Sequence, residues 1–88
     1  MAELRAEIDA LDARIVKLLA QRAAYIDRAV PLKQAEGLPA RIEDRVEEVV
    51  ARVRQRAEAE GLDPALTEAL WRQIIEWSIR REERTLGT

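Results

Sequence analysis

Leu4-Arg5-Ala6-Glu7-Ile8-Asp9-Ala10-Leu11-Asp12-Ala13-Arg14-Ile15-Val16-Lys17-Leu18-Leu19-Ala20-Gln21-Arg22 carries a seam at Leu4, Ile8, Leu11, Ile15 and Leu18. Spacings of four and three put these side chains on one stripe of an α-helix. Tyr25 and Ala29 extend the stripe, and Gly37 and Pro39 end it. Pro31 lies inside this run, where proline removes one backbone hydrogen bond and crowds the preceding turn. The seam resumes at Leu32 and Lys33, so the expected element is one kinked helix from about Glu3 to about Glu36. At 1.5 Å per residue it reaches roughly 50 Å. A compact chain of this size has a radius of gyration near 12 Å and a diameter of only about 30 Å. The helix therefore overhangs its own subunit, and an overhang bearing a Leu/Ile seam needs a partner. The simplest closed solution is an intertwined two-fold homodimer. A monomeric three-helix bundle would instead need a sharp break at Pro31.

Two more helical blocks follow, with no strand-like alternation between them. Ile42, Val46, Val49, Val50, Val53 and Ala57 mark a stripe on a second helix from about Ala40 to Glu60, with Gly61 as its C′ residue. Asp63-Pro64 then supplies an N-cap and a proline at N1. The third helix, Pro64 to about Leu86, carries Leu66, Leu70, Ile74 and Trp77 on one face. Trp71, Ile75, Ser78 and Glu82 form another line at four-three-four spacing. The linkers are short and no repeat is visible, so residues 1–88 read as a single all-α domain.

Composition narrows the chemistry. The 88 residues contain no Cys and no His, which removes disulfides, thiolate metal sites, the usual general base and the commonest transition-metal ligand. Zinc chemistry and Ser-His or Cys-His nucleophilic catalysis are set aside with them. A net charge of −2 gives no encouragement to binding nucleic acid or a membrane surface through bulk charge. The opening Met-Ala-Glu-Leu-Arg has no apolar run of signal-peptide length, so a cytoplasmic protein is expected.

What remains are cations on apolar stripes. Arg22 follows Leu18 by four, a seam position where a guanidinium is costly unless paired. It either snorkels out, meets an internal Glu, or faces an anionic ligand. Lys33 lies three turns on, on the same face at roughly 16 Å, a separation suited to flanking a small molecule. Arg5 sits about 25 Å before Arg22 and about 100° around the helix, out of reach of the same ligand within one chain. In an antiparallel dimer, however, the Arg5 end of one subunit lies over the Arg22 region of the other. Arg45 stands in the first turns of the second helix, with Asp44 or Glu48 as its alternative partner. Glu82 ends an apolar line as either a buried acid or a solvated residue among Arg80, Arg81 and Glu83.

In sequence the chain resembles the all-α chorismate mutase family. The resemblance rests on Leu4 to Asp12, Leu18-Leu19-Ala20-Gln21-Arg22, Lys33, Asp44-Arg45, Gly61-Leu62-Asp63 and Leu70 to Ser78. It implies an intertwined homodimer with two identical pockets and no cofactor or metal. Arg22, with Arg5 from the second subunit, would hold the two carboxylates of chorismate. Arg45 would assist and Ser78 would contribute a hydroxyl. Lys33 and Glu82 would donate to the ether oxygen of the breaking C–O bond. A Claisen rearrangement to prephenate suits a chain without nucleophile or metal. It needs a dianion held in its folded conformer and donors aimed at the oxygen that gains charge.

Three features depart from the family pattern. Many mutases have Gln where this chain has Glu82, and a carboxyl group donates only when protonated. Ile42 and Val46 stand where the family has acids that help recognise the ring hydroxyl. Tyr25, Val46 and Gln73-Ile74-Ile75-Glu76-Trp77 look more like isochorismate pyruvate lyases, relatives that release pyruvate from isochorismate. The lyase is thus the alternative enzyme. The other alternative is a non-catalytic dimeric module, which an internal Arg22–Glu82 pair would support.

Overall fold

The computed structural model describes residues 1–87. It consists of three helices: α1 (Ala2–Glu36), α2 (Glu43–Ala59) and α3 (Pro64–Leu86). The all-α expectation and the three-helix order hold. α1 runs unbroken through Pro31, so the proline costs its hydrogen bond without ending the helix. Gly37 stops it, with φ 68° and ψ 28°, a left-handed conformation that a Cβ would strain. The Gly37 N–H donates to the Gln34 carbonyl at 3.2 Å and the Leu38 N–H to the Lys33 carbonyl at 2.8 Å, which together make a Schellman closure. Gly61 and Leu62 close α2 in the same way, donating to Glu58 at 3.2 Å and Ala57 at 2.8 Å.

α2 begins at Glu43, three residues later than its stripe suggests. Ile42 is extended and offers no capping oxygen, while Glu43 and Asp44 place negative charge on the first turn. The reason for the delay is Ala40, which is buried in the core and whose carbonyl is engaged by Lys33. At the start of α3 the Asp63 carboxylate accepts the Ala65 N–H at 2.9 Å, and Pro64 follows the cap directly.

α3 packs against both other helices, whereas α1 and α2 do not pack on each other. The small core joins Ala40, Val50, Ile75 and Ile79, with Val46, Val49, Trp71 and Leu86 against it. Thr67, Ile75, Ser78, Ile79 and Glu82 form the buried face of α3. Leu66, Leu70 and Trp77 are about half exposed on its other side.

The molecule is elongated, 51 × 23 × 16 Å, with a radius of gyration of 15.6 Å against about 12 Å for a compact chain of this length. The excess is α1. Only its C-terminal half, at Arg22, Ala23, Ile26, Ala29, Val30 and Lys33, is partly covered. Every residue from Ala2 to Gln21 is exposed, including Leu4, Ile8, Leu11, Ile15, Val16 and Leu18. No helix among the described residues is long and apolar enough to cross a membrane.

Asp63→Ala removes a capping acceptor and is expected to cost about 1 kcal/mol. Urea unfolding at fixed protein concentration should show a lower midpoint with an unchanged slope. An unchanged midpoint would contradict the assigned cap.

Candidate functional site

Because α1 and α2 stand apart, the space between them, backed by α3, is left open. It forms a cavity of about 270 Å³. Five of the six residues singled out in the sequence line it: Arg22 and Lys33 from α1, Arg45 from α2, and Ser78 and Glu82 from α3. The rest of its wall is apolar, with Ile42, Val46 and Val49 on the α2 side. Arg5 is not among the lining residues. It lies on the exposed N-terminal half of α1.

Spacing explains this convergence. On α3, Ser78 and Glu82 are one turn apart on the face that carries Ile75. On α1, Arg22 and Lys33 are separated by three turns, with Ile26 and Ala29 between them on the cavity side. Arg45 arrives on the first full turn of α2, three residues beyond Ile42.

The cations differ in how they are held. Lys33 Nζ donates to the Ala40 carbonyl at 2.9 Å and lies 2.6 Å from Glu82 Oε1. That second approach is out of line for a hydrogen bond, so Oε1 has no donor among the described residues although it is buried. Glu82 is only 3% exposed, which excludes a solvated position among its charged neighbours. Arg22 has no carboxylate within ion-pairing distance among the described residues. Its Nη1 donates instead to Ser78 Oγ at 3.1 Å. Burial, and then the charge of Arg45, hold the Arg22 guanidinium below the usual arginine value. It remains a cation, but one whose charge the fold leaves poorly compensated. Arg45 reaches Glu48 at 2.7 Å on the exposed side of α2. The internal Arg22–Glu82 pair expected of a non-catalytic module does not form.

The Ala40 carbonyl was not legible beforehand. A backbone acceptor leaves no composition signal, and its position follows from how Gly37 and Pro39 turn the chain between α1 and α2. Chemically, the cavity offers a desolvated guanidinium, an ammonium fixed from two sides, a second guanidinium and a buried carboxyl group. That set suits a small carboxylate-bearing ligand with an oxygen acceptor. Beside this cavity, α1 and α3 form a wider groove of about 460 Å³, lined by Val16, Leu19, Ala23, Ile74 and Trp77. Arg22 and Ser78 line both spaces.

Comparison with known proteins gives concordant findings. The sequence model of the chorismate mutase type II family matches residues 4–83. An isochorismate pyruvate lyase from Pseudomonas aeruginosa is 35% identical over 83 residues, covering 93% of this chain and 80% of the relative. A T-protein from Enterobacter agglomerans is 32% identical over 82 residues, and there the chain spans only 22% of the relative's length. No solved structure matches significantly. With the family match covering nearly the whole chain and the cationic cavity framed by its helices, the chain belongs to the chorismate mutase type II family.

Proposed function

We propose that residues 1–88 form one catalytic domain that acts as a homodimer and rearranges chorismate to prephenate. The observation that carries this reading is the 270 Å³ cavity, where Arg22, Lys33 and Arg45 face one buried carboxyl group. A ligand with two carboxylates supplies the negative charge that the fold withholds. Arg22 takes one carboxylate by planar, charge-assisted hydrogen bonds, and Arg45 assists from α2. Arg5, on the uncovered half of α1, serves the site of a second copy, as its distance within one chain requires. The groove of about 460 Å³ and the bare Leu4–Leu18 seam are the surfaces such a copy would cover.

In the rearrangement the ether C–O bond breaks as a C–C bond forms between the enolpyruvyl methylene and the ring. No atom is gained or lost and no protein group attacks. The ether oxygen gains negative charge in the transition state, and in this reading Lys33 stabilises it. With one N–H committed to Ala40, the ammonium is oriented before substrate arrives and needs little reorganisation. Glu82 is the second donor when its carboxyl carries a proton. No cofactor or metal enters this mechanism. A cytoplasmic setting and the absence of nucleic-acid or membrane partners complete the proposal.

A second reading, isochorismate pyruvate lyase, is favoured by two observations. The 35% identical relative bears that name. Ile42, Val46 and Val49 also give the α2 wall no polar group for a ring hydroxyl. The same cations would serve, since that elimination also breaks an ether C–O bond whose oxygen gains negative charge.

Incubating the protein separately with chorismate and with isochorismate, and identifying products by NMR, separates the readings. Prephenate is the expected product. Salicylate plus pyruvate as the faster conversion would transfer the assignment to the lyase, and no turnover at any pH would leave a non-catalytic module. Glu82→Gln tests the second donor: an amide N–H donates where a carboxylate only accepts, so kcat should hold or rise. A loss of kcat of about tenfold or more would contradict a donor role for Glu82.

A further inference from the structure

Between Gly37 and Ile42 the chain leaves α1 and turns back into α2, and this short segment gives the cationic cavity part of its wall through Ala40 and Ile42. Pro39, Ala40 and Arg41 make no backbone–backbone hydrogen bond among the described residues. Two contacts to α3 stand in their place. The Ala40 methyl is buried, 4% exposed, in the core that includes Ile75 and Ile79. One residue on, Arg41 Nη2 donates to both carboxylate oxygens of Glu76, at 2.7 and 2.8 Å. That contact holds the Glu76 carboxyl below the usual carboxylate range, so the pair is fully charged at neutral pH.

The Ala40 carbonyl, to which Lys33 Nζ donates at 2.9 Å, belongs to the peptide unit between these two anchors. A single buried methyl is a small contact, and a segment without backbone bonds opens at low cost. Without the arginine, Glu76 would keep only Arg80, 3.5 Å away on its own helix, and the segment would keep only its methyl. The carbonyl would then drift relative to the ammonium that it orients.

We infer that Arg41, through its pair with Glu76, is a positioning residue: it docks the segment that carries the Ala40 carbonyl and so orients the Lys33 ammonium. Neither Arg41 nor Glu76 lines the cavity. The kinetic consequences rest on the proposed reaction, in which Lys33 acts on the ether oxygen.

The test is a double-mutant cycle on the full chain. Arg41→Ala should lower kcat by about fivefold, the upper end of what an exposed ion pair contributes. KM should stay within about twofold, because Lys33 acts on charge that develops in the transition state. Glu76→Ala should do the same, the double variant should lose no more than either single one, and Arg41→Lys should recover part of the loss. An unchanged kcat, losses that multiply in the double variant, or a rise in KM alone would overturn the inference. A second readout needs no activity. Lys33 and the exposed Lys17 are the two lysines of the chain, so Lys17 serves as an internal control. In NMR of protein carrying isotope-labelled lysine, the Lys33 ammonium protons should exchange with water faster in Arg41→Ala and slowly again in Arg41→Lys. Equal exchange in the native chain and in Arg41→Ala would also overturn the inference. If neither chorismate nor isochorismate is turned over, the proposed reaction fails, while the exchange of Lys33 still decides whether the pair orients it.

Discussion

The length of α1 is the constraint from which the rest follows. Thirty-five helical residues span about 52 Å, and α3 covers only the C-terminal half. A helix cannot shorten without losing hydrogen bonds, so the N-terminal half projects with its leucines and isoleucines in water. A contiguous apolar stripe of this kind on a small protein marks a surface that is covered by association. The chain is too small to fold back and cover it, because α2 and α3 are already used against one another. In the proposed dimer the projecting half fills the groove between α1 and α3 of a second copy, and the bare seam and the empty groove account for each other.

The same constraint shapes the cavity. α1 leans on α3 alone and stays clear of α2, which opens the space where Arg22, Lys33 and Arg45 converge. Lys33 is fixed by Ala40 and Glu82, and Arg22 by Ser78. Lys33 is paired with Glu82 and Arg45 with Glu48 at the surface, which leaves Arg22 as the cation of the cavity without a carboxylate partner among the described residues. A fold that holds a half-buried guanidinium in place without such a partner is prepared for an anionic ligand, and the orientation is established before that ligand binds. Surface pairs such as Arg72 with Glu47 at 3.0 Å and Arg54 with Glu68 at 2.8 Å tie α2 to α3 but contribute little each.

Much of this was readable in the sequence. The 3-4 spacing of Leu4 to Leu18, the stop at Gly37 and the Asp63-Pro64 start placed α1 and α3 to within a residue at either end, because each rests on local backbone chemistry. Arg22 was conspicuous as a charge in an apolar seam, and the structure keeps it partly covered. Less was readable wherever tertiary placement decides. Glu82 looked the same in sequence whether buried or solvated, and only the packing of α3 against α1 resolves it. The delayed start of α2 depends on the burial of Ala40, for which the stripe gives no signal. Leu66, Leu70 and Trp77 read as a packing face, yet within one chain they stand half exposed, and the buried face is the line through Trp71, Ile75, Ser78 and Glu82. The specific reaction is the least legible feature, since Ile42 and Val46 alter the wall but not the cationic centre.

The account stands or falls on a site shared between two chains, and subunit mixing tests this most directly. Arg5→Ala and Arg22→Ala proteins, each nearly inactive alone, are unfolded together and refolded as a mixture. Random pairing makes half the dimers mixed. Each mixed dimer holds one site with both arginines intact, so about a quarter of the native activity should return. A mixture no more active than its separate components, from chains that run as monomers in solution, would contradict it.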